Sequence, residues 1–149
     1  MITTQDFVLR MNPIAPAPLR LHSEIGELSK LTVYIEAFAE KHGVSMADTM
    51  AFTLAAEELF ANTVHYSQTP VTLIEFLLVS DGDSLIATYT DNASAFDPTQ
   101  QATPDTTLGI NDRGVGGLGI HLIRRTMEIF RYERTGECNV VTFGRRRND

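Results

Sequence analysis

The sequence predicts an α+β protein, and three observations carry that reading. Two long stretches, from Ser23 to Gly43 and from Ser45 to about Tyr66, place apolar residues three and four apart, as an amphipathic helix requires. Two pairs of strand-like runs turn about Ser80-Asp81-Gly82-Asp83 and about Gly136. Between them lies Arg113-Gly114-Val115-Gly116-Gly117-Leu118-Gly119, with four glycines in six positions, followed by the helix-competent apolar run Ile120, Leu122, Ile123 and Met127.

Bulk properties bound the function. A chain of 149 residues suits one domain, and its single cysteine, Cys138, rules out an internal disulfide. A content of 43% hydrophobic and 21% charged residues is ordinary for a soluble globule. The N-terminus lacks the basic, apolar and small-residue succession of a signal peptide, and no apolar run approaches the roughly 18 residues of a membrane span. A cytoplasmic protein without membrane attachment is therefore expected. A net charge of −7 argues against direct nucleic-acid binding, yet the charge is uneven: no Lys or Arg occurs from His42 through Asp112, and eight of the twelve lie between Arg113 and Arg147. The glycine stretch thus opens the positive part of the chain.

Taken in order, residues 1–18 form an arm. They hold a short strand candidate at Phe7 to Leu9 and then Pro13, Pro16 and Pro18, whose fixed φ and missing N–H prevent a helix. The domain proper is expected over 19–149, starting with an edge strand at Leu19 to His22. Ser23 is placed to cap the first helix, with Glu24 and Glu27 in its first turn. Ile25, Leu28, Leu31, Ile35, Phe38 and Ala39 form its buried stripe, and Gly43 ends it. Ser45-Met46-Ala47-Asp48, a variant of the capping box, announces the second helix, whose packing face includes Phe52, Ala55, Leu59 and Val64. Strands are expected at Val71 to Val79 and Ser84 to Thr90, then at Phe130 to Arg134 and Asn139 to Phe143. The polar stretch Thr99 to Asp112, short of core residues, reads as a lid.

Three places hold residues suited to chemistry. Glu58 and Asn62 are spaced i, i+4 on the second helix, one turn apart on a side that is otherwise small or apolar. Such a pair can hold Mg²⁺ and its waters or orient an attacking hydroxyl; the alternative is a solvent-facing pair near a helix end. Asp91, at the end of a strand before a polar turn, can accept a hydrogen bond from a ligand amine or can simply favour the turn. The glycines leave backbone N–H groups open to an anion at a helix start, or they form a hinge without a ligand. Gly114-x-Gly116-x-x-Gly119 also fits the dinucleotide fingerprint, but no buried strand precedes it and too little chain follows for a doubly wound sheet. No Lys-Ser/Thr follows the glycines, which excludes a Walker loop.

In this order the segments resemble the GHKL, or Bergerat-fold, ATPase superfamily, and within it the small serine kinases that act as anti-sigma factors, over nearly the whole chain from Leu19. Glu58-Leu59-Phe60-Ala61-Asn62 is similar to the family's N box, in which the acid is a general base and the asparagine binds Mg²⁺. Asp91 to Pro98 resembles the adenine-contacting box, which implies adenine contacts for Asp91, Ala93 and Phe96; Ala93 stands where glycine is common. Gly114, Gly116, Gly117, Leu118 and Gly119 match the lid-terminal glycine box and, with Arg113, are implied to hold phosphates. Asn139-Val140-Val141-Thr142 resembles the last box, whose threonine, here Thr142, helps hold adenine. His22 lacks the surroundings of a phospho-accepting histidine, so the histidine-kinase branch does not fit.

The resemblance implies an α/β (α+β) two-layer sandwich, with a mixed, largely antiparallel sheet covered on one face by helices. It further implies ATP and Mg²⁺ as cofactors and transfer of the γ-phosphoryl group to a serine of an anti-anti-sigma (STAS-type) partner. A sigma factor is a second implied partner, and a homodimer is among the assemblies considered. Two other readings stay open: an ATP-gated module that sequesters a sigma factor or other regulator without turnover, and a nucleotide-binding adaptor with neither activity. Glu58 favours the kinase, because an inert binder has no need of a base.

Overall fold

The computed structural model describes residues 16–101 and 117–148. Their elements run β1 (Leu19–Arg20), α1 (Leu28–His42), α2 (Met46–Tyr66), β2 (Ile74–Ser80), β3 (Ser84–Asp91), α3 (Gly117–Thr126), β4 (Ile129–Thr135) and β5 (Cys138–Arg146). The strands form one sheet in the order β1-β2-β3-β5-β4. Every pairing among the described residues is antiparallel, so the largely antiparallel sheet is present and the parallel component of a mixed sheet is not seen there. The strand candidate Phe7 to Leu9 and the lid from residue 102 to 112 lie outside the described residues.

Alternation decides which face is covered. Ile74, Phe76 and Leu78 of β2, Leu85, Ala87 and Tyr89 of β3, and Val141 and Phe143 of β5 are buried, while the residues between most of them are half-exposed. The buried set meets Leu31 and Ile35 of α1, Phe52, Ala55, Ala56, Leu59 and Phe60 of α2, and Ile123 of α3 in one core. Phe52 stacks on Phe143 with ring centroids 5.6 Å apart, which fixes α2 over the middle of the sheet. Two layers result, helices on one face, as the pattern of apolar residues dictates.

The helix ends differ from the local signals in instructive ways. Ser23 does not cap α1: a 3-10 turn over Ile25–Glu27 leads into the helix, and neither its N-cap nor that of α1 makes a side-chain capping bond. Glu27 is buried instead, accepting the His22 N–H at 3.1 Å and pairing with Lys30 at 2.6 Å. Gly43 does end α1, in the left-handed conformation at φ 63° and ψ 37°, where a side chain would be strained. Its own carbonyl and that of His42 accept from the Arg147 guanidinium at 2.7 and 2.8 Å. Ser45 caps α2 by accepting the Asp48 N–H at 3.2 Å. The return half of the capping box goes elsewhere, because the fully buried Asp48 carboxylate accepts from Arg145 Nε at 2.9 Å and from the Asn148 N–H at 2.7 Å.

Candidate functional site

β3 carries its helix-facing register to its last residue, so Asp91 is delivered buried beneath α2. Three donors surround its carboxylate. Oδ2 accepts from the Thr63 hydroxyl at 2.7 Å, and Oδ1 accepts from the Ala93 N–H at 3.1 Å and from Asn139 Nδ2 at 2.8 Å. The Tyr89 hydroxyl lies 2.6 Å from Thr63 Oγ1. The carboxylate is the strongest acceptor present, so Thr63 donates to Asp91 and Tyr89 donates to Thr63. Burial, and then the negative charge of Asp91, pushes the Tyr89 hydroxyl well above the ordinary tyrosine value, which keeps its proton in place for that role. A carboxylate offers about four lone-pair positions and three are taken, so about one is left for a ligand donor.

That free position belongs to a cavity of about 420 Å³ between α2, the β3 end and α3, lined among others by Asn62, Asp91, Ala93, Phe96, Ile120 and Asn139. Ala93 is buried against it, and among the described residues no non-glycine residue has a positive φ; the alanine therefore sits in the loop without backbone strain. Phe96 is 42% exposed and supplies an aromatic wall. Asp97 closes the loop, accepting the Thr99 N–H at 2.9 Å.

Asn139 ties this region together, and Thr142, expected to help hold adenine, stands on another face. Asn139 is buried, and its Nδ2 donates to Asp91 and to the Ser94 carbonyl at 3.0 Å. Its Oδ1 accepts from the Tyr132 hydroxyl at 2.7 Å, from Arg134 Nη1 at 3.1 Å and from the Phe96 N–H at 3.2 Å. Arg134 also donates to the Ala93 carbonyl at 3.0 Å. Thr142 pairs with Thr88 in the ladder, whereas Asn139 pairs with Asp91 and Val141 with Tyr89. Strand alternation therefore turns Thr142 to the opposite face of the sheet, away from the cavity. The signal was present in the sequence, since residue 139 has the same parity as Val141 and Phe143.

Glu58 and Asn62 occupy successive turns of α2 but open on different spaces. Asn62 lines the cavity with Asp91; Glu58 lines a second groove of about 340 Å³ between α2 and α3. Burial pushes the Glu58 carboxyl above the ordinary glutamate value, with the Asn62 amide offsetting part of the shift. Its Oε1 is buried without a hydrogen-bond partner among the described residues. The close approach is to α3: a Cβ on Gly119 would stand 2.1 Å from Glu58 Cδ. A side chain at 119 would have to displace the carboxyl that the helix crosses, and this is a role the sequence pattern did not convey. Leu118 is exposed and is not part of the cavity wall, while Gly117 begins α3. Arg113, Gly114 and Gly116 lie outside the described residues.

A helical layer over an antiparallel sheet, with a buried acid in the wall of a cavity of this size, makes a small-ligand-binding domain. The profile of the histidine kinase-like ATPase domain matches residues 21–145, and the chain belongs to that family. An ATPase domain binds ATP. Among proteins of known activity, the chain is similar to the serine/threonine-protein kinase BtrW of Bordetella bronchiseptica, at 29% identity over 111 residues, 73% of this chain and 78% of that protein. Among solved structures, the histidine kinase AdeS of Acinetobacter baumannii matches with a TM-score of 0.51 at 11% identity, over 95% of this chain and 74% of that one. The blue-light activated histidine kinase of Erythrobacter litoralis EL346 matches with a TM-score of 0.49 at 13% identity, over 80% of this chain, which spans 40% of its length. The AdeS likeness bears on the fold alone. Among the described residues, no helix is long and apolar enough to cross a membrane.

Proposed function

We propose that this protein is an ATP-dependent protein serine kinase of the anti-sigma-factor type, acting on a serine of an anti-anti-sigma (STAS-type) partner in the cytoplasm. Residues 1–18 are an arm, and 19–149 carry the activity. The observation that supports turnover over simple binding is Glu58: a carboxyl raised by burial, with one oxygen lacking a partner among the described residues, one helical turn from Asn62. The likeness to a protein named serine/threonine-protein kinase points the same way. A sigma factor is the second partner in this reading, and the active species is a monomer or a homodimer.

When bound, Mg·ATP supplies the phosphoryl group. Asp91 accepts a hydrogen bond from the adenine amine, with Ala93 and Phe96 lining the base pocket. Asn62, reaching the cavity from α2, offers one oxygen to Mg²⁺, an ion that takes few protein ligands when phosphates supply others. The N–H groups at the start of α3, from Gly117 to Gly119, and the adjoining Arg113, Gly114 and Gly116 offset phosphate charge. With ATP bound, Glu58 would take the proton of the serine hydroxyl, and the nucleotide would supply the γ-phosphoryl group and leave as ADP.

The test compares Glu58→Gln, Asn62→Ala and the parent by ATP titration and by radiolabel transfer to the partner serine. Glu58→Gln is expected to bind Mg·ATP nearly as the parent does and to lose transfer by about a hundredfold or more. Asn62→Ala is expected to weaken Mg·ATP binding itself. In the parent, transfer rises with pH along a limb above the ordinary glutamate range. Equal transfer by Glu58→Gln and the parent removes the base role. Binding of ATP and partner without transfer under any condition selects the gated sequestering module.

A further inference from the structure

The cavity and the second groove lie on two sides of α3: Ile120 lines the first, while Gly119, Leu122 and Ile123 line the second. Asn62 and Glu58 divide in the same way, one turn of α2 apart. Phosphoryl transfer places the attacking and leaving oxygens roughly in line across phosphorus, so donor and acceptor approach from opposite sides. A nucleotide in the cavity leaves the groove as the acceptor's side. The groove is otherwise apolar and small-walled, through Ala51, Leu54, Ala61 and Leu122, with Leu54 and Leu122 about half exposed at its rim. Its charged lining is Glu57 and Glu58 alone among the described residues, with no cation.

We infer that the α2–α3 groove is the docking site of the acceptor segment: a serine hydroxyl meets Glu58, small apolar side chains flanking it pack on Leu54, Ala61 and Leu122, and acidic flanks are excluded. This rests on the kinase reading above and deepens it by naming the acceptor surface. Two observations fix the occupant. The partnerless Glu58 oxygen calls for a hydrogen-bond donor. The two carboxylates repel an acidic segment and leave a neutral or cationic one welcome.

The test uses the full chain saturated with a non-hydrolysable ATP analogue and Mg²⁺. A short peptide of alanine and leucine around one serine is titrated in and followed by amide NMR shifts; the same peptide with aspartate beside the serine is the contrast. Shifts are expected at Ala51, Leu54, Ala61 and Leu122 and not at Ala93 or Asn139, with the aspartate peptide bound at least about tenfold more weakly. In transfer assays with ATP, Leu54→Glu and Leu122→Glu are expected to raise the peptide KM about tenfold or more while leaving ATP affinity within about twofold. Met46→Glu, exposed on the same helix but not in the groove lining, is expected to leave both unchanged.

No shift in the groove, or shifts confined to the cavity, overturns the inference. So does self-association through Leu54 and Leu122, which assigns the groove to a second copy. Transfer that occurs in the parent and survives both rim variants overturns the groove assignment and leaves the kinase standing. Groove binding without transfer to any acceptor leaves the surface standing and removes the kinase.

Discussion

The contact between Gly119 and Glu58 makes a quantitative test of how α3 is set against α2. Replacing Gly119 by alanine puts a methyl carbon 2.1 Å from Glu58 Cδ, 2.2 Å from Oε2 and 2.4 Å from Cγ. Ordinary contact needs about 3.5 Å, so the carboxyl has to move by more than about 1 Å. Overpacking of this kind costs about 1–3 kcal/mol, against which alanine in a helix regains about 1 kcal/mol over glycine. The single variant is therefore expected to be destabilised by about 0–2 kcal/mol. With Glu58→Ala as the background, the methyl group enters vacated space and only the helix gain remains, about 0.5–1 kcal/mol of stabilisation. The double-mutant cycle by urea denaturation thus carries a coupling of about 1–3 kcal/mol. In the parent background, transfer is expected to fall about a hundredfold, as a misplacement near 1 Å suffices for that. Additivity of the two substitutions within about 0.5 kcal/mol would refute the contact.

Asp91→Ala and Asn139→Ala are each expected to weaken ATP binding about tenfold or more, the first by removing the acceptor and the second by releasing the carboxylate and the loop tied to it, whereas Thr142→Val stays within about twofold. Calorimetry decides: a Thr142→Val effect as large as that of Asn139→Ala would overturn the assignment of strand faces. Asp48→Asn is expected to lose about 3 kcal/mol at neutral pH, because the largely buried Arg145 loses the charge that compensates its own. Burial pushes the Asp48 carboxyl up, but the Asn148 N–H, the Arg145 guanidinium and Ser45 outweigh it and hold the carboxyl below its usual value. A depressed carboxyl contributes stability above its unfolded pKa and loses it as pH falls through the folded one, so the gap between parent and variant is expected to narrow below about pH 4. A gap that stays constant with pH in thermal melts would contradict the pairing.

What could be read from the sequence was local. Ser45 capping α2, Gly43 closing α1 and the turns at Gly82 and Gly136 each depend on a few adjacent residues, and each stands where the pattern put it. The misreadings are long-range. Val71 to Leu73 look like strand, yet pairing begins at Ile74 because the Thr72 and Leu73 N–H groups donate to the Asn92 side chain at 2.9 and 3.0 Å. β5 extends beyond Phe143 to Arg146 because Leu85 and Ser84 wait opposite, which no window around Gly144 reveals. The site divides in the same way. Asp91 was legible as a polar residue ending an apolar strand, while Asn139 gains its meaning only from Asp91, Tyr132, Arg134 and the backbone of the loop that follows Asp91, brought together by the sheet.

The strap formed by Arg145, Arg147 and Asn148 also sets an order of events. Asp48 and Arg145 are 97 residues apart in sequence, and Arg147 reaches back 105 residues to the His42 carbonyl. The corner between the two long helices is therefore completed by the segment that leaves the last strand. A chain emerging from the ribosome can form α1, α2 and the first hairpin while that corner still lacks its partners, with the Asp48 carboxylate kept in water. Closure of the corner is a late, non-local step, the kind that slows folding. A fragment ending at Phe143 would retain every core aromatic residue yet lack Arg145 and Arg147, which bind this corner, and it is expected to be held open there.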